Sequence, residues 1–376
     1  MYKQRIISVH LLNDLSGSPF VFRQALQLLV QQLYEVHLFT SRPSGDGFLS
    51  GLPQVVYHRM PYRWSRNKWM TLILYLTNQV VLFMKILSFA RKEDIIYCNS
   101  ILPFGAALAG KLKGCSIVYH IHEVSVRPAM LKKMLLSIVN ATARKCIFVS
   151  EYCRQQTAIR IAGRVIYNAL PTSFTGRVAT GSEPGRDPFV VLMVCSLKIY
   201  KGVLQFLECA AALPGIRFEL VLNASAGEID AFFADRQLPH NLYLYPAQND
   251  IHPFYSRSSV VLNLSLPDQW IETFGMTVLE AMYYGRPVII PPVGGVTELV
   301  EDGSEGFYVD SRRIEELVTA ICVLSENEGI YKRMSRAAYK KARSFTKTAF
   351  DQGVTEVFRR ISGQRSQNKE SSITYS

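Results

Sequence analysis

A chain of 376 residues, 48% hydrophobic and 19% charged, has material for two or three compact cores and is not a disordered polymer. Its seven cysteines (98, 115, 146, 153, 195, 209 and 322) are scattered, odd in number and lack a C-x-x-C pair. That argues against a disulfide scaffold or zinc site and for reduced thiols in a cytosolic compartment. The net charge of +12 is uneven: residues 1–180 hold 22 Lys and Arg against 7 Asp and Glu, or +15, and the remainder 20 against 23, or −3. Such a basic half suits an anionic partner, a membrane or a nucleic acid, or serves only to keep the surface soluble. No nucleic-acid recognition motif accompanies the charge.

Residues 1–5 lead straight into a strand-like apolar run, so no leader segment is expected. Residues 5–12 read as a strand covered on both faces, followed by a turn through Gly17. A helix is expected over 20–32, with Ser18 as cap and Pro19 as first helical residue. The N–H groups of the loop at Gly17 are placed to touch phosphate. Strands follow at 36–39 and 55–58, a long helix at 69–90, a strand at 95–98, a helix at 105–113 and a strand at 116–121. A helix at 130–142, a strand at 145–149, a helix at 150–161 and a strand at 164–167 complete the first series. This alternation predicts an α/β class with a doubly wound parallel sheet. His120 and His122 share a face of the strand at 116–121, with Glu123 opposite or in the next loop. Open parallel sheets bind ligands at that carboxyl end, so His122 is either a structurally bonded histidine or a functional one.

Helix 69–90 is apolar and about long enough to cross a bilayer, but Thr77, Asn78, Gln79 and Lys85 make spanning costly. It is expected to lie against a sheet or at a membrane surface. Arg59, Arg63, Arg66, Lys68, Arg91 and Lys92 flank it with charges that suit anionic head groups.

Residues 175–188 are rich in Gly, Pro and polar side chains and form the expected domain linker. A second α/β series begins with a strand at 189–195, a loop carrying Lys198, Lys201 and Gly202, and a helix at 203–213. Strands at 218–222, 242–244, 260–264, 288–290 and 306–309 continue it, with helices at 228–235, 252–256, 314–324, 330–344 and 348–361. Residues 362–376 lack an apolar pattern and are expected to be a disordered tail.

Two carboxylates eight positions apart, Glu272 and Glu280, frame a small-residue turn at Phe274, Gly275 and Met276. The helix expected from Met276 would offer free N–H groups and its positive dipole end to an anion such as a diphosphate. Were the whole segment helical, eight residues would rise ~12 Å, about the layout of a nucleotide sugar. Carboxylates accept well from vicinal hydroxyls, though two surface Glu at this spacing also arise by chance.

Glu272, Phe274, Gly275, Glu280, Ala281, Met282, Gly285, Pro287, Val288, Gly294, Gly295 and Glu298, in this order, together with Lys201 and Gly202, resemble the family of retaining GT-B glycosyltransferases with an E-x7-E motif (glycosyl transferases group 1 / family 4), of the bacterial surface-polysaccharide type. The resemblance implies two Rossmann-like domains facing across a deep cleft. It implies an acceptor domain at 1–174, a linker at 175–188, a nucleotide-sugar domain at 189–345 and a C-terminal helix at 346–361 packed back on the first domain. It further implies Glu280 on the ribose hydroxyls, Lys201 and the N–H groups around Phe274, Gly275 and Met276 on the diphosphate, Glu272 on the transferred sugar, and His122 near the reacting carbon. Asn168, Ser150 and Glu151 match cleft positions less specifically. The family usually carries an Arg before its Lys-Gly; here Cys195, Ser196 and Leu197 stand there, and Lys198 is a candidate replacement or an ordinary loop lysine.

The implied activity is sugar transfer from a nucleotide-sugar donor to an acceptor hydroxyl with retention, and with neither a metal nor a cofactor. The expected setting is O-antigen, capsule or exopolysaccharide assembly, in the cytoplasm or peripheral on the inner face of its membrane, with a glycan or lipid-linked acceptor and no nucleic acid. A sugar-nucleotide epimerase of the same fold, or a catalytically impaired nucleotide-sugar-binding or scaffold protein, remains the alternative.

Overall fold

The central apolar runs become buried parallel strands because helices cover each sheet on both faces, while the edge strands stay partly exposed. The computed structural model describes residues 4–41, 47–62, 65, 67–178 and 188–373. The N-terminal series is β1 (Arg5–Val9), α1 (Gly17–Gln31), β2 (Glu35–Thr40), β3 (Val55–Arg59), α2 (Lys68–Phe89), β4 (Ile95–Asn99), α3 (Phe104–Leu112), β5 (Ser116–Ile121), α4 (Ala129–Thr142), β6 (Lys145–Phe148), α5 (Glu151–Gln155) and β7 (Gly163–Val165). Its sheet runs β3-β2-β1-β4-β5-β6-β7, every pairing parallel, with Ile6 between Val36 and Ile95. The crossovers through α2, α3 and α4 all advance in one direction along this sheet, so right-handedness puts these helices in one layer. The β1–α1–β2 crossover steps the other way and puts α1 on the opposite face.

The second series is α6 (Thr172–Thr175), β8 (Val190–Cys195), a 3₁₀ turn (Ile199–Lys201), α7 (Val203–Ala212), β9 (Arg217–Leu222), α8 (Ala226–Phe233), β10 (Leu242–Tyr245), α9 (His252–Arg257), β11 (Val260–Leu262), α10 (Met276–Tyr283), β12 (Val288–Ile290), a 3₁₀ turn (Gly295–Glu298), β13 (Gly306–Tyr308), α11 (Ile314–Glu326) and α12 (Glu328–Ala342). Its sheet, β10-β9-β8-β11-β12-β13, is again parallel. Val191, Phe206, Phe218, Leu220, Ile289 and Ile321 are among the side chains that fill its core.

The chain divides into a unit of 1–167 with 348–376 and a unit of 168–347. Residues 168–174, read from sequence with the first domain, belong with the second. The Phe174 ring lies 4.4 Å from His252 and edge-on to Tyr255 and Tyr284. The final helix, α13 (Lys347–Ile373), belongs with the first unit. Phe358 packs 4.9 Å from the Tyr97 ring and 6.3 Å from Tyr34, Gln32 bonds to Thr355, and Arg164 pairs with Glu356.

Three local expectations are corrected. α1 starts at Gly17 with Ser16 in extended backbone as its N-cap, not at Pro19, because Asp14 holds the Ser16 N–H and hydroxyl and Phe20 N–H already reaches Ser16 O. α5 ends at Gln155 rather than 161. Asn140 draws the following backbone onto α4, donating to Ala158 O and accepting from Arg160 N–H. The segment read as a disordered tail continues α13 as far as Ile373, since its Gln, Arg, Lys and Glu are good helix formers. Residues 179–187 of the linker, Arg63, Arg66 and 374–376 lie outside the described residues.

Phe358 is fully buried. Phe358→Ala is expected to lower unfolding stability by about 3–5 kcal/mol in urea titration. A loss below about 1 kcal/mol would mean that α13 is not part of the first unit's core.

Candidate functional site

Three loops of the C-terminal unit are locked together by glycines at which no side chain fits. Gly202 stands at φ +78° between the 3₁₀ turn and α7, where a Cβ would meet Leu264 O at 2.2 Å. Leu266 N–H donates to Tyr200 O at 2.8 Å, completing the tie between these two loops. Gly294, at φ +117°, would clash through a Cβ with Glu272 O at 2.5 Å, and Gly295 N–H donates to that same oxygen at 2.8 Å. Gly275, at φ +98°, ends the loop, so α10 starts at Met276 with no side chain capping it.

Glu272 therefore precedes the helix while Glu280 is inside it. The segment is not one continuous helix, and the ~12 Å rise computed for one does not apply. Lys201 Nζ lies 2.9 Å from Glu272 Oε2, both side chains about four-fifths buried at 18% and 20% exposure. Nζ also sits 5.2 Å from the Trp270 ring, which stacks on Tyr200 at 5.3 Å. Phe274 is buried and packs edge-on against Phe345, so its contribution to the turn is backbone.

Glu280 meets α9, where it accepts from the Tyr255 hydroxyl at 2.6 Å. Burial pushes its carboxyl up to about 7, the Tyr255 bond only partly opposing the rise. Its pKa places it where binding of a hydroxyl-bearing ligand can fix its protonation state.

In the N-terminal unit the carboxyl ends of β1, β4 and β5 meet in a polar network. His122 Nε2 is 2.8 Å from Asn99 Oδ1, while Asn99 Nδ2 is 3.0 Å from His10 Nδ1 and donates to Ser18 Oγ at 2.9 Å. Because Nδ2 is the donor of that amide, Oδ1 is its acceptor and His122 carries its proton on Nε2. Burial holds His122 well below the ordinary histidine range, with the His120 and His10 rings adding to the effect. The His120 ring is 4.4 Å away and bonds to the Tyr97 hydroxyl at 2.8 Å. His122 is thus a neutral, oriented imidazole. Gly17 opens α1 next to Ser18 in the same unit.

Glycosyltransferase Family 4 describes residues 16–174, and Glycosyl transferases group 1 describes residues 181–341. The chain is built from these two glycosyltransferase domains. It is 33% identical over 92 residues to D-inositol 3-phosphate glycosyltransferase of Kribbella flavida, 24% of this chain and 21% of that one. It is 35% identical over 94 residues to trehalose synthase of Pyrococcus horikoshii, covering 25% and 21%. The matches thus span about a fifth of these curated relatives' length. The structure of Anabaena Alr3699/HepE in complex with UDP-glucose superposes with a TM-score of 0.78 at 19% identity, over 95% of this chain and 99% of that one. The two parallel-sheet units are the two Rossmann-like domains of the GT-B fold.

Within the group 1 domain the structure brings together Lys201, Glu272, Gly275 and Met276, with Glu280 one turn into α10. Lys198 precedes the 3₁₀ turn, and its charge helps hold the exposed Glu228 carboxyl below its usual range, after the bonds from Ser225. Asn168 is 4% exposed, and its Oδ1 makes no hydrogen bond among the described residues. Those residues include no cluster of three or more His, Cys, Asp or Glu side chains suited to a metal.

Sequence reasoning passed over Asn99, Tyr255 and the cradle of Glu123. Burial pushes the Glu123 carboxyl up to about 7 against the Ser100 hydroxyl and nearby N–H groups, and Ser100 itself stands at φ +87°. A buried polar residue closing a strand, as Asn99 closes β4, was the available signal; Tyr255 had none.

A carboxyl raised from 4.5 to about 7 binds its proton more tightly folded than unfolded, so it costs stability as pH rises through that window and most above it. Glu280→Gln is expected to raise stability by up to about 3 kcal/mol at pH 8, and by almost nothing near about pH 4. A gain independent of pH would refute the buried-carboxyl account. Gly294→Ala is expected to cost about 1–3 kcal/mol through backbone strain and displacement of Glu272, seen as a lower melting temperature.

Proposed function

We propose that this protein transfers a sugar from a nucleotide-sugar donor to an acceptor hydroxyl, with retention and without a metal. The setting proposed is assembly of a cell-surface glycan such as O-antigen, capsule or exopolysaccharide, on a lipid-linked or glycan acceptor at the cytoplasmic face of a membrane. The observation that carries the reading is the Lys201–Glu272 pair, held by Gly202, Gly275 and Gly294 beside the uncapped start of α10. The fold likeness to a protein solved with UDP-glucose supports the donor class.

In this reading Lys201 exchanges Glu272 for the donor diphosphate, whose negative charge grows as the glycosidic bond breaks. The contact therefore strengthens toward the transition state, which is what accelerates the step. The first N–H groups of α10, at Met276 and beyond, share that charge. Glu272, released from Lys201, accepts from hydroxyls of the transferred sugar. Glu280, oriented by Tyr255, accepts from the ribose hydroxyls. His122, neutral and fixed by Asn99, supplies a hydrogen bond near the reacting carbon from the Family 4 domain; Asn168, Lys198 and Gly17 are secondary donor or acceptor contacts. The departing phosphate, with no protein carboxylate required as nucleophile, takes the acceptor proton on the same face.

A thermal-shift screen across UDP-, GDP-, ADP- and TDP-sugars tests the donor. One class is expected to raise the melting temperature, and Glu280→Ala to abolish the rise. Lys201→Ala is expected to lower kcat/KM by roughly 10²–10³. Glu272→Ala removes the carboxylate that competes for Lys201, so it should keep or strengthen the response to the nucleoside diphosphate while turnover falls. No response to any donor in the unaltered protein would sink the proposal.

A further inference from the structure

Helix α2 buries polar as well as apolar residues and leaves a long apolar stripe in solvent. Its polar centre faces the protein: Asn78 and Gln79 are 2% and 1% exposed, and Gln79 Oε1 accepts from Gly105 N–H of α3 at 3.0 Å. The backbones approach so closely there that a Cβ on Gly105 would meet Gln79 O at 2.2 Å. Tyr75, Leu82 and Ile86 face inward as well, but a second apolar set faces outward: Trp69, Ile73, Leu76, Val80 and Met84 are 77%, 57%, 42%, 63% and 59% exposed. At 100° per residue these five fall within ~80° of one another and run along ~22 Å of helix. A stripe of large side chains this long is not the scatter of single exposed apolar residues that ordinary surfaces carry.

The chemistry around the stripe selects its occupant. Helices α2, α3 and α4 contain no Asp or Glu, but carry Lys68, Lys85, Lys111, Lys132 and Lys133. Met130, at the start of α4 in the same layer, is 81% exposed, with Lys133 exposed beside it. An apolar ridge bordered by lysines with no carboxylate complements an anionic lipid surface: side chains below the head groups, ammonium groups among the phosphates. Self-association would instead press two carboxylate-free layers together. A membrane span would require α2 to leave α3 and expose Asn78 and Gln79 to hydrocarbon.

We propose that α2 lies in the plane of an anionic bilayer, inserting the Trp69–Met84 stripe and making the protein monotopic. The N-terminal end of this stripe lies at the carboxyl end of the sheet. There the Tyr75 hydroxyl donates to Leu102 O at 2.8 Å, beside the loop that holds Glu123. An acceptor carried on a lipid in that bilayer is thereby brought to the end of the Family 4 domain where His122 and Glu123 stand. The inference rests on the transferase reading for why a lipid-borne acceptor is present, and on α2 itself for how the bilayer is met.

The test is co-sedimentation of the full chain with phosphatidylglycerol and phosphatidylcholine vesicles, read with tryptophan fluorescence. Binding to phosphatidylglycerol is expected, with a blue shift that Trp69→Phe removes and that bromine-labelled acyl chains quench. Ile73→Glu combined with Val80→Glu should weaken binding by at least about a hundredfold while leaving the melting temperature and the nucleotide-sugar thermal shift in place. Both positions are already solvated, so folding is not at stake. Failure to bind phosphatidylglycerol vesicles, with the donor response intact, overturns the insertion face and leaves the transferase reading standing. Binding with no donor response does the reverse. Binding that high salt abolishes completely, or that the double variant retains, overturns insertion in favour of surface charge alone. A concentration-dependent dimer that the double variant dissolves, without vesicle binding, makes the stripe a self-interface. Resistance to alkaline carbonate extraction makes α2 a span.

Discussion

An ammonium and a carboxylate that are four-fifths withdrawn from water survive only as a pair, and Lys201 with Glu272 are such a pair. Each charge would otherwise lose hydration worth several kcal/mol. Their partnership dictates the loop architecture around them. The Lys201 loop and the Glu272 loop must approach closely, so Gly202 turns against Leu264 and Gly294 against the Glu272 carbonyl. Stacking of Trp270 on Tyr200 shields the pair from one side. Lys201 and Glu272 neutralise one another, and in the proposed mechanism the donor diphosphate takes the place of that carboxylate.

The N-terminal unit solves a different problem with different means. Its polar ends are assembled from neutral groups: Ser18, His10, Asn99 and His122 are joined by one amide that accepts on one side and donates on the other. Histidines buried this deeply stay uncharged, so orientation is fixed without long-range charge. Glu123 is the exception, a carboxyl kept near neutrality by burial beside the strained Ser100. The charged machinery and the neutral machinery thus reside in separate units of the fold.

Strand and helix identity was legible because period and burial agree. The runs at 116–121 and 288–290 became strands with those bounds, and the Glu272–Glu280 spacing together with Gly275 located the start of α10. What escaped were features set by pairs of residues far apart in sequence. Asn140 shortening α5, Phe174 joining the aromatic cluster of the second unit, and Tyr255 reaching Glu280 across 25 positions leave no local trace. The hydropathy of α2 suggested a buried or surface helix. Only packing revealed that Asn78 and Gln79 lie on its inner face and the Trp69–Met84 stripe on its outer one, because a stripe of apolar residues looks the same from sequence whichever way it points.

The return of α13 to the first unit bears on how the protein is made. A ribosome releases the seven strands of the N-terminal sheet early, but Phe350, Val354 and Phe358, all buried in that unit, emerge only after the whole second unit. The second unit, continuous from 168 to 347, has its whole core available before α13 exists. Vectorial synthesis therefore inverts the usual order: the domain begun first is finished after the second. During that interval the nascent N-terminal sheet presents an uncovered surface at Tyr97 and Tyr34 that α13 will seal.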